Sequence, residues 1–185
     1  MAADDETTEW FGGVPGRGDA KAAFLEQLRR EANGWYQEDV TPSLTSSLYI
    51  GQPLYADIDV PGLTEPARQL QVGFWRGGPW GGQSGGYVLQ GAWGDDHPLD
   101  DHDGNDPECL TVIGVQATPE SHATWAAQWL LRQLRRPVVR EEWLRNGQVV
   151  AHTLRLSDTG TMLARHGSSP RRLFRRPPDQ VTQIR

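Results

Sequence analysis

Two residues have the type and spacing for proton transfer. Glu141 and His152 flank Asn146-Gly147 in the stretch PVVREEWLRNGQVVAHTLRL. Asn-Gly is the strongest short-range hairpin signal, because both positions tolerate φ > 0 in a type I′ turn. Registering the hairpin on that turn sets Arg145 opposite Gln148, Leu144 opposite Val149, Trp143 opposite Val150 and Glu141 opposite His152. A carboxylate facing an imidazole in a partly apolar setting favours imidazolium. Such a pair can move a proton, or it is a cross-strand ion pair and nothing more. One extra residue in either strand destroys the pairing. Glu141 and His152 are the candidate catalytic residues of a small hydrolase-like or metal-dependent enzyme. Asp57 and Asp59 would have to converge on them, and being two apart they share one strand face.

The segment Gly94–Cys109 holds six aspartates, one glutamate, two histidines and the only cysteine. Asp101, Asp103 and Asn105 are spaced like the first ligands of a calcium loop. The full pattern then wants Gly and Glu where this chain has Asp106 and Val112. His97, His102 and Cys109 have nitrogen and sulfur donors but match no common zinc spacing. Asp101, Asp103 and Asn105 are therefore a weak metal candidate, set against a solvated loop in which like charges repel or a contact surface for a basic partner. Cys109 opens the apolar run CLTVIGV and is expected to be buried and inert. No cofactor is expected.

Binding candidates come from two further stretches. FWRGGPWGGQSGGY puts six glycines around Trp75 and Trp80. It lacks the Lys-Ser/Thr of a phosphate loop, and a strand rather than a helix follows it, which argues against a dinucleotide fingerprint. Exposed, the two rings would anchor a protein partner; tucked in, they fill the core. The tail SSPRRLFRRPPDQVTQIR sets Arg171, Arg172, Arg175 and Arg176 around Leu173 and Phe174. Arginine forks fit phosphates and carboxylates, and Phe174 could stack on a base. Four arginines alone give only weak, salt-sensitive nucleic-acid binding.

The elements that must position these groups follow from periodicity. A first helix is expected over Ala20–Ala32, capped by Asp19, with Phe24 and Leu28 at i,i+4. Five strands follow, at Ser46–Ile50, Leu54–Val60, Arg68–Arg76, Gly86–Trp93 and Cys109–Gln116. No helix fits between them, so they form an antiparallel meander. The second helix begins at N-cap Thr118 with Pro119 at N1, carries Ala126, Leu130 and Leu134 as a stripe beside Trp125 and Trp129, and stops at Pro137. The hairpin comes next, with a third strand at Thr161–Arg165. The fold class is α+β. It is one domain over residues 19–166, an antiparallel or mixed sheet with two packed helices and a C-terminal hairpin. A Gly-rich acidic stretch, 1–18, precedes it, in which Trp10 and Phe11 are expected to dock on the domain. A basic tail, 167–185, follows.

Charge narrows the function classes. The 185 residues carry a net charge of −6. Residues 1–131 hold 20 acids against 6 bases, and residues 132–185 hold 4 acids against 12 arginines. The total disfavours wholesale nucleic-acid binding, and the basic third can lie against the acidic remainder. The acidic start MAADDETTE does not read as a secretory signal, and no run reaches the ~18 apolar residues that would span a membrane. A cytoplasmic location is expected. The reading that absorbs most features is a non-enzymatic protein-binding or accessory, regulatory protein with a protein partner of unknown identity. A homo-oligomer interface is another cover for exposed aromatics.

Overall fold

The computed structural model describes residues 9–13, 19–50, 53–63, 69–77, 86–94, 108–167 and 176–185. Asp101, Asp103, Asn105, Trp80, Arg171, Arg172, Phe174 and Arg175 lie outside the described residues.

The chain forms a single α+β domain. Helix α1 spans Asp19–Ala32, so Asp19, expected to precede it, is its first residue. Strands β1 (Thr45–Tyr49), β2 (Leu54–Asp59), β3 (Gln69–Arg76), β4 (Tyr87–Trp93) and β5 (Leu110–Val112) make an antiparallel sheet in chain order. Helix α2 (Pro119–Leu134) then interrupts the strands. Thr118 caps it by accepting the Ser121 N–H at 3.3 Å. Beyond Pro137 a second sheet begins, with β6 (Val138–Arg145), β7 (Gln148–Leu156), β8 (Met162–His166) and β9 (Gln180–Gln183) in the order β8-β7-β6-β9. Both sheets are antiparallel throughout, and the expected single sheet is in fact two.

The segment read as a tail supplies β9, which pairs with β6 between Val139–Gln183 and Glu142–Gln180. Period-2 alternation gave no warning of it, because all four of its residues are exposed.

The core lies between the helices and one face of the five-stranded sheet. Leu54, Ala56, Ile58, Leu70, Val72, Phe74 and Leu89 share that face and are buried. Phe24 of α1 stacks on Phe74 at 4.3 Å between centroids. Trp129 of α2 lies over Gly91, where a Cβ would meet its ring at 3.0 Å. The N-terminal aromatics dock as expected. Trp10 and Phe11 are buried edge-on against Trp35, and Arg29 donates to both their carbonyls. The Ser47 N–H donates to the Gly12 carbonyl at 2.9 Å, so residues 11–13 run along the outer edge of β1.

One side chain joins the two sheets. Arg136, past the end of α2, pairs with Glu108 just before β5 and with Asp158 in the β7–β8 turn at 2.9 Å. Its guanidinium also donates to Gln133 and Thr159, and Gln133 accepts from the Trp93 indole. At the same end Arg135 pairs with Glu38. The Arg185 guanidinium donates to the Leu134 carbonyl at 2.6 Å, where the negative end of α2 favours a cation. Here the basic third of the chain does lie against the acidic two-thirds.

Candidate functional site

The expected catalytic pair is not formed. Asn146 and Gly147 take φ of 53° and 77°, so the turn has the expected hand. The pairs Arg145–Gln148 and Leu144–Val149 hold, but a bulge between Trp143 and Leu144 moves Trp143 opposite Ala151. Glu141 then faces Thr153, and His152 faces Glu142. The Glu141 carboxylate accepts from Thr153 at 2.9 Å and from Arg155 at 2.8 Å, an ion pair between neighbouring strands. Asp57 and Asp59 stand on the other sheet, alternating with the core residues Ala56 and Ile58, and so share its face away from the core.

The bulge builds a different row. Glu142, His152 and His166 are consecutive partners across β6, β7 and β8. The two imidazoles stack at 4.6 Å and 22°, and Arg140 pairs with Glu142 at 2.7 Å. Near-parallel rings do not aim their nitrogens at a common point. Among the described residues no three His, Cys, Asp or Glu gather in a way that could hold a metal ion. Burial holds the His152 pKa below the ordinary histidine value of 6.5, aided by Arg140 and His166, while Glu142 opposes them. The unfolded chain therefore takes up this proton first. Stability is full above about 6.5 and falls as the pH drops toward the folded value. Urea unfolding between about pH 7 and pH 5 should show this loss, and His152→Gln should flatten the curve. An unchanged slope in the variant would assign the acid sensitivity elsewhere.

The expected binding residues have varied positions. Trp75 is 7% exposed, because β3 is a central strand buried on both faces; it fills the protein rather than presenting a ring. Arg176 donates to the Leu144 carbonyl and to Asp179, and its own carbonyl accepts from the Trp143 indole. Cys109 is half-buried rather than buried.

The feature that the sequence reading missed is the far edge of the first sheet. The strand expected over Cys109–Gln116 forms only in part. Only Leu110–Val112 pairs with β4, and Leu110 and Val112 pack on the core. Ile113 and Val115 are 47% and 42% exposed. Gly114 takes φ of 76°, which breaks the strand, yet Val115 and Gln116 still pass beside Gly86 at the start of β4. The meander itself carried the signal, since the last strand of five in chain order must be an edge.

An open cleft of about 540 Å³ lies elsewhere, among Glu38, Asp39, Pro61, Leu134 and Arg185. Its arginines are engaged with Glu38 and with backbone carbonyls.

No family model matches the chain, and no curated protein or solved structure matches it. Among the described residues no helix is long and apolar enough to cross a membrane.

Proposed function

We propose that this is a non-enzymatic binding protein, accessory or regulatory in role, that docks another protein on the β5 edge. The observation that carries this reading is the exposure of Ile113 and Val115 just past the end of the edge strand β5, in a run without charge from Leu110 to Pro119. Edge strands are normally blunted by lysine, proline or a covering segment. β1 has such a cover in residues 11–13, and β9 has polar side chains at three of its four positions. The cytoplasm is the proposed location.

A photoreactive amino acid at position 113, irradiated in native cell extract, should give one stoichiometric adduct. Val115→Lys in the same chain should abolish the adduct while leaving stability within about 0.5 kcal/mol, as for ordinary surface changes. No adduct at 113, or one indifferent to Val115→Lys, would end this reading.

The Glu142–His152–His166 row favours a second reading, acid–base chemistry on a small substrate. Hydrolysis of an activated ester that is lost in both His152→Gln and His166→Gln would support it. Weak nucleic-acid association through the C-terminal arginines is a third, and among these Arg176 already has Asp179 as partner.

A further inference from the structure

We propose that the open cleft between the end of α2 and the end of β9 binds a short zwitterionic peptide with aliphatic side chains, its carboxylate on Arg185 and its ammonium on Asp39. The cleft shares no residue with the β5 edge, so the site stands apart from the docking role proposed above.

The fold brings opposite charges to one cleft without joining them. Arg185 is half-buried there. Its Nε–H donates to the Leu134 carbonyl at 2.6 Å and its Nη2 to the Glu38 carbonyl at 3.1 Å. A guanidinium has five N–H donors, so the pair on Nη1 is left for a ligand. Both partners of Arg185 are neutral carbonyls, and among the described residues it makes no ion pair. Asp39 follows the short helical turn Trp35–Glu38 in the left-handed region, with φ of 58°, and its N–H donates to the Tyr36 carbonyl. Its side chain is exposed, and among the described residues its carboxylate has neither a hydrogen bond nor an ion pair. The two charges still act on each other. Burial lowers the Arg185 pKa, and the charges of Glu38 and Asp39 work against that shift. Opposite charges that feel each other but do not meet leave a gap that a molecule with both charges can bridge.

Charge and shape narrow the ligand. Glu38, Asp39, Arg135 and Arg185 line the cleft, so its formal charge is zero. A plain anion would meet two carboxylates, and a plain cation two guanidiniums. A zwitterion adds no net charge and pairs at both ends. Arg135 is already held by Glu38 at 2.9 Å, which leaves Arg185 and Asp39 to the ligand. Leu134, Pro61 and Ile184 give the cleft an apolar wall that takes aliphatic side chains out of water. Its volume of about 540 Å³ is that of an ordinary small-molecule pocket.

The probe is the dipeptide L-leucyl-L-leucine, added to the full chain and followed by amide NMR. The amide signals of Asp39, Gly62 and Ile184 should move together and saturate, with a Kd on the order of 1 mM. Two derivatives each remove one charge. The C-terminal amide loses the charged bond to half-buried Arg185 and should bind roughly tenfold more weakly. The N-acetyl derivative loses only an exposed pair with Asp39 and should bind about threefold more weakly. Asp39→Asn keeps the turn, because asparagine tolerates the left-handed region. It should erase the difference between the dipeptide and its N-acetyl derivative.

No saturable shift at these three amides, or shifts centred elsewhere, overturns the site. An N-acetyl derivative that binds as tightly as the dipeptide or more so makes the occupant a plain anion. An amide that does the same makes it a plain cation, and in either case the inference fails. A loss on N-acetylation that persists in Asp39→Asn removes Asp39 from the site and overturns the zwitterion assignment. None of these results bears on the photo-adduct at position 113, so the two proposals stand or fall separately.

Discussion

Arg136→Met lowers the unfolding free energy by about 3 kcal/mol, the low end of the range for breaking a buried ion pair. Arg136 is 11% exposed and Glu108 13%, so the variant takes the Arg136 charge away from a carboxylate largely out of water. Asp158, 42% exposed, is rehydrated more easily and keeps the cost from rising further. Removing both members restores much of the loss, so Arg136→Met/Glu108→Gln should be more stable than Arg136→Met alone. Urea unfolding at constant slope measures each step. A loss below about 1 kcal/mol would mean that the joint is no stronger than a surface pair.

The same network fixes an acid response. The Arg136 hydrogen bonds hold both the Glu108 and the Asp158 carboxyls below their ordinary values. A carboxylate with a depressed folded pKa contributes stability that is fully present above the unfolded value, and loses it as pH falls through the folded value. Native protein should therefore lose stability more steeply than Arg136→Met below about pH 4.5, the ordinary value for Glu108.

The second large effect belongs to Gly91. A Cβ here would lie 3.0 Å from the Trp129 ring, 3.0 Å from Val72 Cγ1 and 3.2 Å from the Gln71 carbonyl oxygen. Trp129 and Val72 are themselves buried and have little room to give. Gly91→Val, which adds two methyls beyond that carbon, should cost about 2–3 kcal/mol by overpacking. Trp129→Leu in the same chain should recover part of the loss, because it opens the space that the valine needs. A Gly91→Val protein as stable as the native one would show that α2 can move off the sheet without cost.

Both sites show what the sequence can and cannot convey. Helix α2 was legible because Thr118, Pro119 and the Ala126–Leu130–Leu134 stripe are local signals. The meander was legible because no helical run fits between its alternating segments. The Asn146-Gly147 turn was read correctly, but the bulge three residues away was not, and that slip exchanged Glu141 for Glu142 opposite His152. A bulge depends on how the sheet must twist over its neighbours, and no residue type announces it. Nothing local marks Arg136 as a joint between the sheets. Its partners, Glu108 and Asp158, lie 28 and 22 residues away, and only the fold brings them together. β9 was missed because a strand with all its residues exposed has no apolar alternation to detect.

The short run Trp10–Gly13 has a consequence for assembly. The Phe11 N–H donates to Thr45 and the Gly12 carbonyl accepts from Ser47, so this run covers the β1 border of the first sheet. Removing residues 1–18 would bare that border, and a bared strand edge is a template for pairing with another chain, so the shortened chain should self-associate more readily than the full one.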